Sequence, residues 1–106
     1  MSDTSSLGVM RESEVQNVIE RGAVLVVTAN APPERMTSGW KGAWGVHAEL
    51  GAEKLQLVTT RDPSKPKLFN TLAGLASFLA NQGFEPVCIP FKQGSVARHS
   101  ASPHLA

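Results

Sequence analysis

The spacing of apolar residues near the start of the chain predicts a short helix. Three apolar residues fall on one helical face: Val15, Val18 and Ile19. Ser13 and Gln16 have the spacing of a capping box, and Gly22 stands where a left-handed C-terminal stop is favoured. We therefore predict a first helix over about 13–21.

Three segments in the middle of the chain have the pattern of β-strands. Residues 23–29 (AVLVVTA) are nearly all apolar and rich in β-branched side chains, which is typical of a strand in the middle of a sheet. Residues 44–50 alternate apolar and polar positions, and residues 54–60 continue that alternation. Because Gly51 and Ala52 between them allow a tight reversal, we predict a hairpin.

The apolar spacing predicts a second helix near residue 75. Its apolar positions recur at i, i+3, i+4 and i+7: Leu72, Leu75, Ala76 and Leu79. Asn70 can cap the start, and Gly83 can end the helix in a Schellman motif with Phe84 packed back on Leu79.

A fourth strand is predicted over residues 87–91, where Pro86 and Pro90 suit an edge position. The order α-β-β-β-α-β predicts an α+β fold, a two-layer sandwich of one four-stranded mixed sheet with both helices mainly on one face. In this core we expect the leucines of the second helix to contact residues of the first and third strands, namely Val24, Val26, Leu55 and Leu57. The other face of the sheet would be available to a partner.

The length of 106 residues fits one domain, which excludes a deep enclosed cofactor cavity. We expect the domain to span residues 10–91, with flexible tails at 1–9 and 92–106, because both ends are rich in small polar residues. The chain has a single cysteine, no signal-peptide pattern and no apolar stretch long enough to cross a membrane. These features predict a cytoplasmic protein without a membrane partner.

Net charge does not indicate a partner, but the charges are unevenly distributed. The formal net charge is +1 at pH 7. Residues 54–106 carry six basic and two acidic side chains, a net charge of +4, whereas residues 1–53 carry four basic and seven acidic ones, a net charge of −3. The positive charge is therefore concentrated in the C-terminal half of the chain.

The segment Asn30 to Gly42 is longer than the usual connection between strands and contains Trp40 and Lys41. An indole beside an ammonium group can stack on a nucleic-acid base while the cation meets a phosphate. The same tryptophan would also suit a protein interface, or it could simply cover the edge of the sheet.

A second group of cations, Arg61, Lys65 and Lys67, lies in the proline-rich stretch TRDPSKPK before the second helix. In an antiparallel meander this stretch and the Trp40 segment emerge at the same end of the sheet, so we expect these three cations to join Trp40 and Lys41 in one nucleic-acid or partner site. A solvated surface loop explains the charges equally well.

The sequence predicts no metal site, no cofactor and no catalytic residue. Histidine and cysteine occur without any zinc-ligand spacing, at His47, Cys88, His99 and His104. His47 fits the polar face of its strand and Cys88 fits a small, partly buried packing position, while we expect both C-terminal histidines to be solvated.

The block from Leu55 to Phe91 resembles small partition-associated proteins of broad-host plasmids and integrative elements. The shared pattern is an Arg-containing turn at Arg61, then Phe69 to Leu72 (FNTL), an Ala/Leu helix to Gly83 and a last strand. A Trp-containing strand at 40–50 fits the same pattern, and the resemblance covers about residues 22–91. It implies a role in plasmid maintenance and no active-site residue.

These observations predict a non-enzymatic accessory protein of a bacterial plasmid or mobile element that binds DNA or a DNA-bound partner, such as a plasmid-encoded protein. The alternative is a protein-interaction or homodimerisation module without nucleic-acid contact. A phosphate-binding surface would lose affinity steeply with salt, whereas an apolar interface would not.

Overall fold

The computed structural model of the protein describes residues 7–100. Its seven strands and two helices follow one another as β1 Leu7–Met10, α1 Val15–Glu20, β2 Val24–Ala29, β3 Glu34–Met36, β4 Gly39–Leu50, β5 Glu53–Leu57, β6 Leu68–Thr71, α2 Leu72–Asn81 and β7 Val96–Ser100. A short 3-10 turn, Glu12–Glu14, leads into α1. No described helix is long and apolar enough to cross a membrane.

All seven strands belong to one mixed sheet built around β4. The main strand order is β1-β5-β4-β2-β7, with β3 and β6 also paired to β4. The C-terminal half of β4 lies between β2 and β5, and its N-terminal half contacts β3 and β6. Among the strands within residues 7–100, only β1 and β5 pair in parallel. The predicted α+β class is confirmed, but the sheet has seven strands rather than four.

Both helices cover the same face of the sheet. Apolar residues of α1 and α2 form one buried cluster with alternate residues of β2 and β4, namely Leu25, Val27, Ala29, Trp44, Val46 and Ala48. Leu75 and Leu79 are buried there as predicted, against Leu57 among others. Val24 and Val26 are not in this cluster, because the strand alternation that turns Leu25 and Val27 towards the helices turns them to the opposite face.

The two helices begin differently from the sequence prediction. Ser13 and Gln16 do not form a capping box; instead Glu14 Oε1 accepts a hydrogen bond from the backbone N–H of Arg11 at 2.7 Å. At α2, Oγ1 of Thr71 rather than the side chain of Asn70 caps the helix, accepting from the backbone N–H of Gly74 at 3.0 Å.

The predicted Schellman ending of α2 is confirmed. Gly83 has a φ of +95°, its N–H donates to Ala80 O, and the N–H of Phe84 donates to Leu79 O. Phe84 is buried in the core. The predicted hairpin is also present, as β4 and β5.

The prediction of a strand over residues 87–91 is wrong, because this segment forms no strand in the structure. Pro86 and Pro90 have no N–H to donate to a ladder, and the N–H of Cys88 donates to His99 Nε2 at 2.9 Å. The sheet instead gains β7, which pairs antiparallel with β2. Strands β1 and β7 thus lie largely within the predicted tails 1–9 and 92–106, of which residues 1–6 and 101–106 lie outside the described residues.

Candidate binding groove beside Trp40

The segment predicted as a long loop, Asn30 to Gly42, contains a β-hairpin. β3 pairs with the start of β4, with Arg35 opposite Trp40 and Met36 opposite Gly39. β4 thus extends beyond the end of β2, which pairs no further than Trp44. This extension places Trp40 on a sheet rather than on a loop.

Trp40 belongs to an aromatic cluster, Trp40, Phe91 and Trp44, that runs from the surface to the core. The Trp40 and Phe91 rings meet edge to face with centroids 4.9 Å apart, and the Phe91 and Trp44 centroids are 6.1 Å apart. Trp44 is fully buried, and its Nε1–H donates to Pro90 O at 2.9 Å. The partly exposed Trp40 ring therefore rests on a fixed support.

Trp44 also depends on a glycine. A Cβ at Gly42 would lie 2.8 Å from the Trp44 ring, closer than non-bonded carbon atoms approach. The ring thus lies over the backbone of β4, and only glycine at this position leaves it room.

A groove of about 400 Å³ lies between the β3–β4 hairpin and the first turn of α2. We call it the Trp40 groove; its main lining residues are Met36, Trp40, Lys41, Asn70, Thr71 and Leu72. The pairing of Lys41 with Thr71 in β6 brings the start of α2 to this place. Met36 and Trp40 supply exposed apolar surface, and Lys41 supplies a positive charge.

A second cation lies beside Trp40, since the guanidinium carbon of Arg35 is 5.9 Å from the centre of the indole ring. The lining of the groove contains no carboxylate, imidazole or thiol. It therefore offers an apolar surface with positive charge beside it, and it lacks the usual groups for proton transfer or nucleophilic attack.

The structure does not bring the second group of cations to the groove. The N–H of Lys67 donates to Leu57 O, so the β5–β6 loop leaves the sheet near Val46 of β4. Lys41 lies five residues earlier in β4, which is roughly 15 Å along the strand. Lys67 instead places its Nζ 5.3 Å from the centre of the Phe69 ring.

Arg61 and Lys65 are exposed on the β5–β6 loop, which has its own hydrogen bonds. Asp62 Oδ1 accepts from the N–H and the hydroxyl of Ser64, and these bonds hold the pKa of the Asp62 carboxyl below its usual value. The predicted assembly of five residues thus separates into Trp40 with Lys41 at the groove and Arg61, Lys65 and Lys67 away from it. The two groups are apart because β4 is longer than its predicted strand, and its extension carries Trp40 and Lys41 away from the β5–β6 loop.

The sequence pattern carried no signal for Met36 and Leu72 as groove residues, and it placed Phe91 on a strand. Of the histidines, His47 lies on the face away from the helices, as predicted, 3.4 Å from Glu49 Oε2. His99 was expected in solvent, yet it is 4% exposed, and Cys88 is exposed rather than partly buried. Among residues 7–100 no three potential metal ligands come together.

Comparison of the chain with family models, with curated proteins and with solved structures finds no match. The candidate site therefore rests on the geometry of the Trp40 groove.

Proposed function

We propose that the protein is a non-enzymatic accessory protein of a bacterial plasmid or mobile element, and that it acts in plasmid maintenance by binding a DNA-bound protein through the Trp40 groove. The observation that carries the proposal is the partly exposed Trp40 ring, supported by Phe91 and Trp44, at the side of an apolar groove. Rigid aromatic side chains in such positions dominate protein interfaces. The plasmid setting rests on the sequence resemblance over residues 22–91.

Binding fits the groove better than catalysis does. General acid–base and nucleophilic chemistry need a carboxylate, imidazole or thiol near the substrate, and the groove lining has none. Its lysine, threonine and asparagine can instead form hydrogen bonds that orient a bound segment.

Direct contact with nucleic acid is the second candidate function. Trp40 offers a surface on which a base can stack, and Lys41 and Arg35 lie beside it. These cations could meet the phosphate of a nucleotide whose base is stacked on the indole. The composition of the groove lining counts against it, because Lys41 is its one charged residue and nucleic-acid affinity comes mainly from cations that meet phosphates.

A plasmid-loss assay tests the proposal in a host that carries the element encoding this protein. We expect deletion of the gene to raise the rate of plasmid loss, and wild-type protein supplied from a second locus to restore retention. Trp40→Ala should not restore it, because the groove loses its aromatic wall.

Lys54→Ala is the matched control, since Lys54 is exposed on β5 and far from the groove. It should restore retention as wild type does. Plasmid loss that is unchanged by deletion would show that the proposed function is wrong, and full rescue by a folded Trp40→Ala protein would exclude the groove.

A further inference from the structure

We infer that the Trp40 groove binds a short protein segment in which an apolar side chain is flanked by acidic residues. This inference rests on the proposed function and specifies its partner. It follows from three properties of the groove: its size, its apolar surface and the sign of the charges around it.

The size and surface of the groove suit one or two apolar side chains. Its volume of about 400 Å³ is near the lower end for pockets that hold ligands. Met36 is 45% exposed beside it, and Trp40 and Leu72 are partly exposed. Covering these carbon surfaces with an apolar side chain removes them from water, which is the main driving force of association.

The charges beside the groove are positive and unpaired. Neither Arg35 nor Lys41 has a carboxylate within 4 Å among residues 7–100, where the ion pairs are those of Glu49 with His47 and with Arg98. Glu34 faces Lys41 across the β3–β4 pair without forming such a contact. The first turn of α2, which forms one wall, has no acidic residue. Acidic residues beside the apolar side chain of a partner would complement this field.

The same charges favour a protein segment over a nucleic-acid strand. Two cations next to an apolar groove match an apolar side chain with an acidic neighbour on each side. A nucleic-acid strand gains most of its affinity from cations that meet its phosphates, but the lining of the groove has one charged residue, Lys41, and is otherwise apolar or neutral.

The test is an NMR titration of the full chain with synthetic probes at low salt. The first probe is a peptide with a central phenylalanine flanked on both sides by glutamates. The second replaces the glutamates with lysines, the third replaces the phenylalanine with alanine, and the fourth is an oligothymidine. We expect the first probe to shift the Trp40 indole and Leu72 signals, with an affinity at least about tenfold higher than the second or third.

Charge reversal makes the test sharper. The double variant Arg35→Glu/Lys41→Glu should prefer the lysine-flanked peptide, because the field beside the groove is inverted. The matched double variant Arg61→Glu/Lys65→Glu changes the same number of charges on the β5–β6 loop and should keep the wild-type preference. A dispersed NMR spectrum of each variant shows that it is folded. The single variant Lys41→Gln removes one charge and should weaken the preference for the acidic peptide without inverting it.

Equal binding of the first two peptides to wild type, or an unchanged preference in the folded Arg35→Glu/Lys41→Glu variant, would overturn the inference. Tighter binding of oligothymidine than of the acidic peptide at the groove would overturn it in favour of nucleic acid. In each case the plasmid-loss assay tests separately whether the Trp40 groove acts in plasmid maintenance, because the defect of Trp40→Ala does not depend on which class of partner the groove binds.

Discussion

The imidazole of His99 is buried, and one of its two nitrogens forms a hydrogen bond. Its Nε2 accepts a hydrogen bond from the N–H of Cys88 at 2.9 Å, and its ring centroid lies 5.3 Å from that of Phe84. Nδ1 is buried without a hydrogen-bond partner among the described residues. Burial lowers the pKa of His99, because the charged form would lose its hydration. The accepting role of Nε2 also requires the neutral ring.

We predict that the protein loses stability as the pH falls through the ordinary titration range of histidine. In the unfolded chain His99 takes up a proton below about pH 6.5, whereas the folded state resists protonation. Stability is therefore fully present above that pH and declines below it, by at most about 1.4 kcal/mol per pH unit for this one proton. The groups around the ring do not reverse the sign, since β2 has no titratable residue and Cys88 and Glu85 are exposed.

Urea unfolding at pH 7 and at pH 5 measures this effect. His99→Gln keeps a hydrogen-bond acceptor but cannot take up the proton, so the loss of stability between the two pH values should be smaller. His47→Gln, on the opposite face of the sheet, leaves His99 in place and should retain the wild-type loss. An equal loss in His99→Gln would contradict the prediction.

Helix α2 is the element that connects the core to the Trp40 groove. Its residues Leu75, Phe78 and Leu79 are buried in the core, while Leu72 and Ala73 at its start line the groove. The helix starts at this point because Thr71, the last residue of β6, is extended and accepts from the N–H of Gly74. The same residue thus ends a strand and caps the helix.

Thr71→Ala should therefore lower the free energy of unfolding by about 0.5 to 2 kcal/mol, the usual cost of losing an N-cap. Asn70→Ala is the matched control, because Asn70 is exposed and its side chain caps nothing in the structure. We expect it to change stability by less than about 0.5 kcal/mol. Chemical unfolding of both variants measures the difference, and equal losses would mean that the cap is misassigned.

Strand β7 joins parts of the chain that are far apart in sequence. It pairs with β2 along Val24–Thr28, so that Ala97 and His99 lie beside Val27 and Leu25 on the helix-covered face. Through His99 it also contacts the segment after α2. That segment carries Pro90 and Phe91, which support the two tryptophans.

A chain that ends at Phe91 should therefore be less stable than the full chain. Exposure of a buried Leu or Val side chain costs about 1.5 to 3 kcal/mol, and removal of β7 uncovers one side of Leu25 and Val27. We expect a loss of at least about 2 kcal/mol in urea unfolding, together with a red shift of the Trp emission towards that of solvated indole. A chain that ends at Ser100 separates the contribution of residues 92–100 from that of the last six. Unchanged stability on truncation at Phe91 would contradict the pairing of β7.

The candidate site could be predicted only in part. Trp40 and Lys41 were identifiable because an aromatic side chain beside a cation in a long connection is an uncommon local pattern. Met36, Leu72 and Phe91 were not, because each is an ordinary apolar residue whose role depends on the residues that the fold places next to it. The distance of Lys67 from the groove likewise depends on where the β5–β6 loop leaves β4.

The pattern of the sequence was enough to predict the α+β class, both helices, the strands β2 and β5, the C-terminal part of β4, and the ending of α2 at Gly83. Each of these features has a local signal in the sequence, either a spacing of apolar residues or a glycine stop. Tertiary structure alone decided which face of β2 meets the helices, since an almost wholly apolar strand has no polar face to settle it. It also decided that the polar segment Val96–Ser100, rather than residues 87–91, completes the sheet beside β2. A strand needs backbone N–H donors that can pair with a neighbouring edge. Pro86 and Pro90 have no N–H, whereas every residue of β7 has one, and β7 pairs with β2.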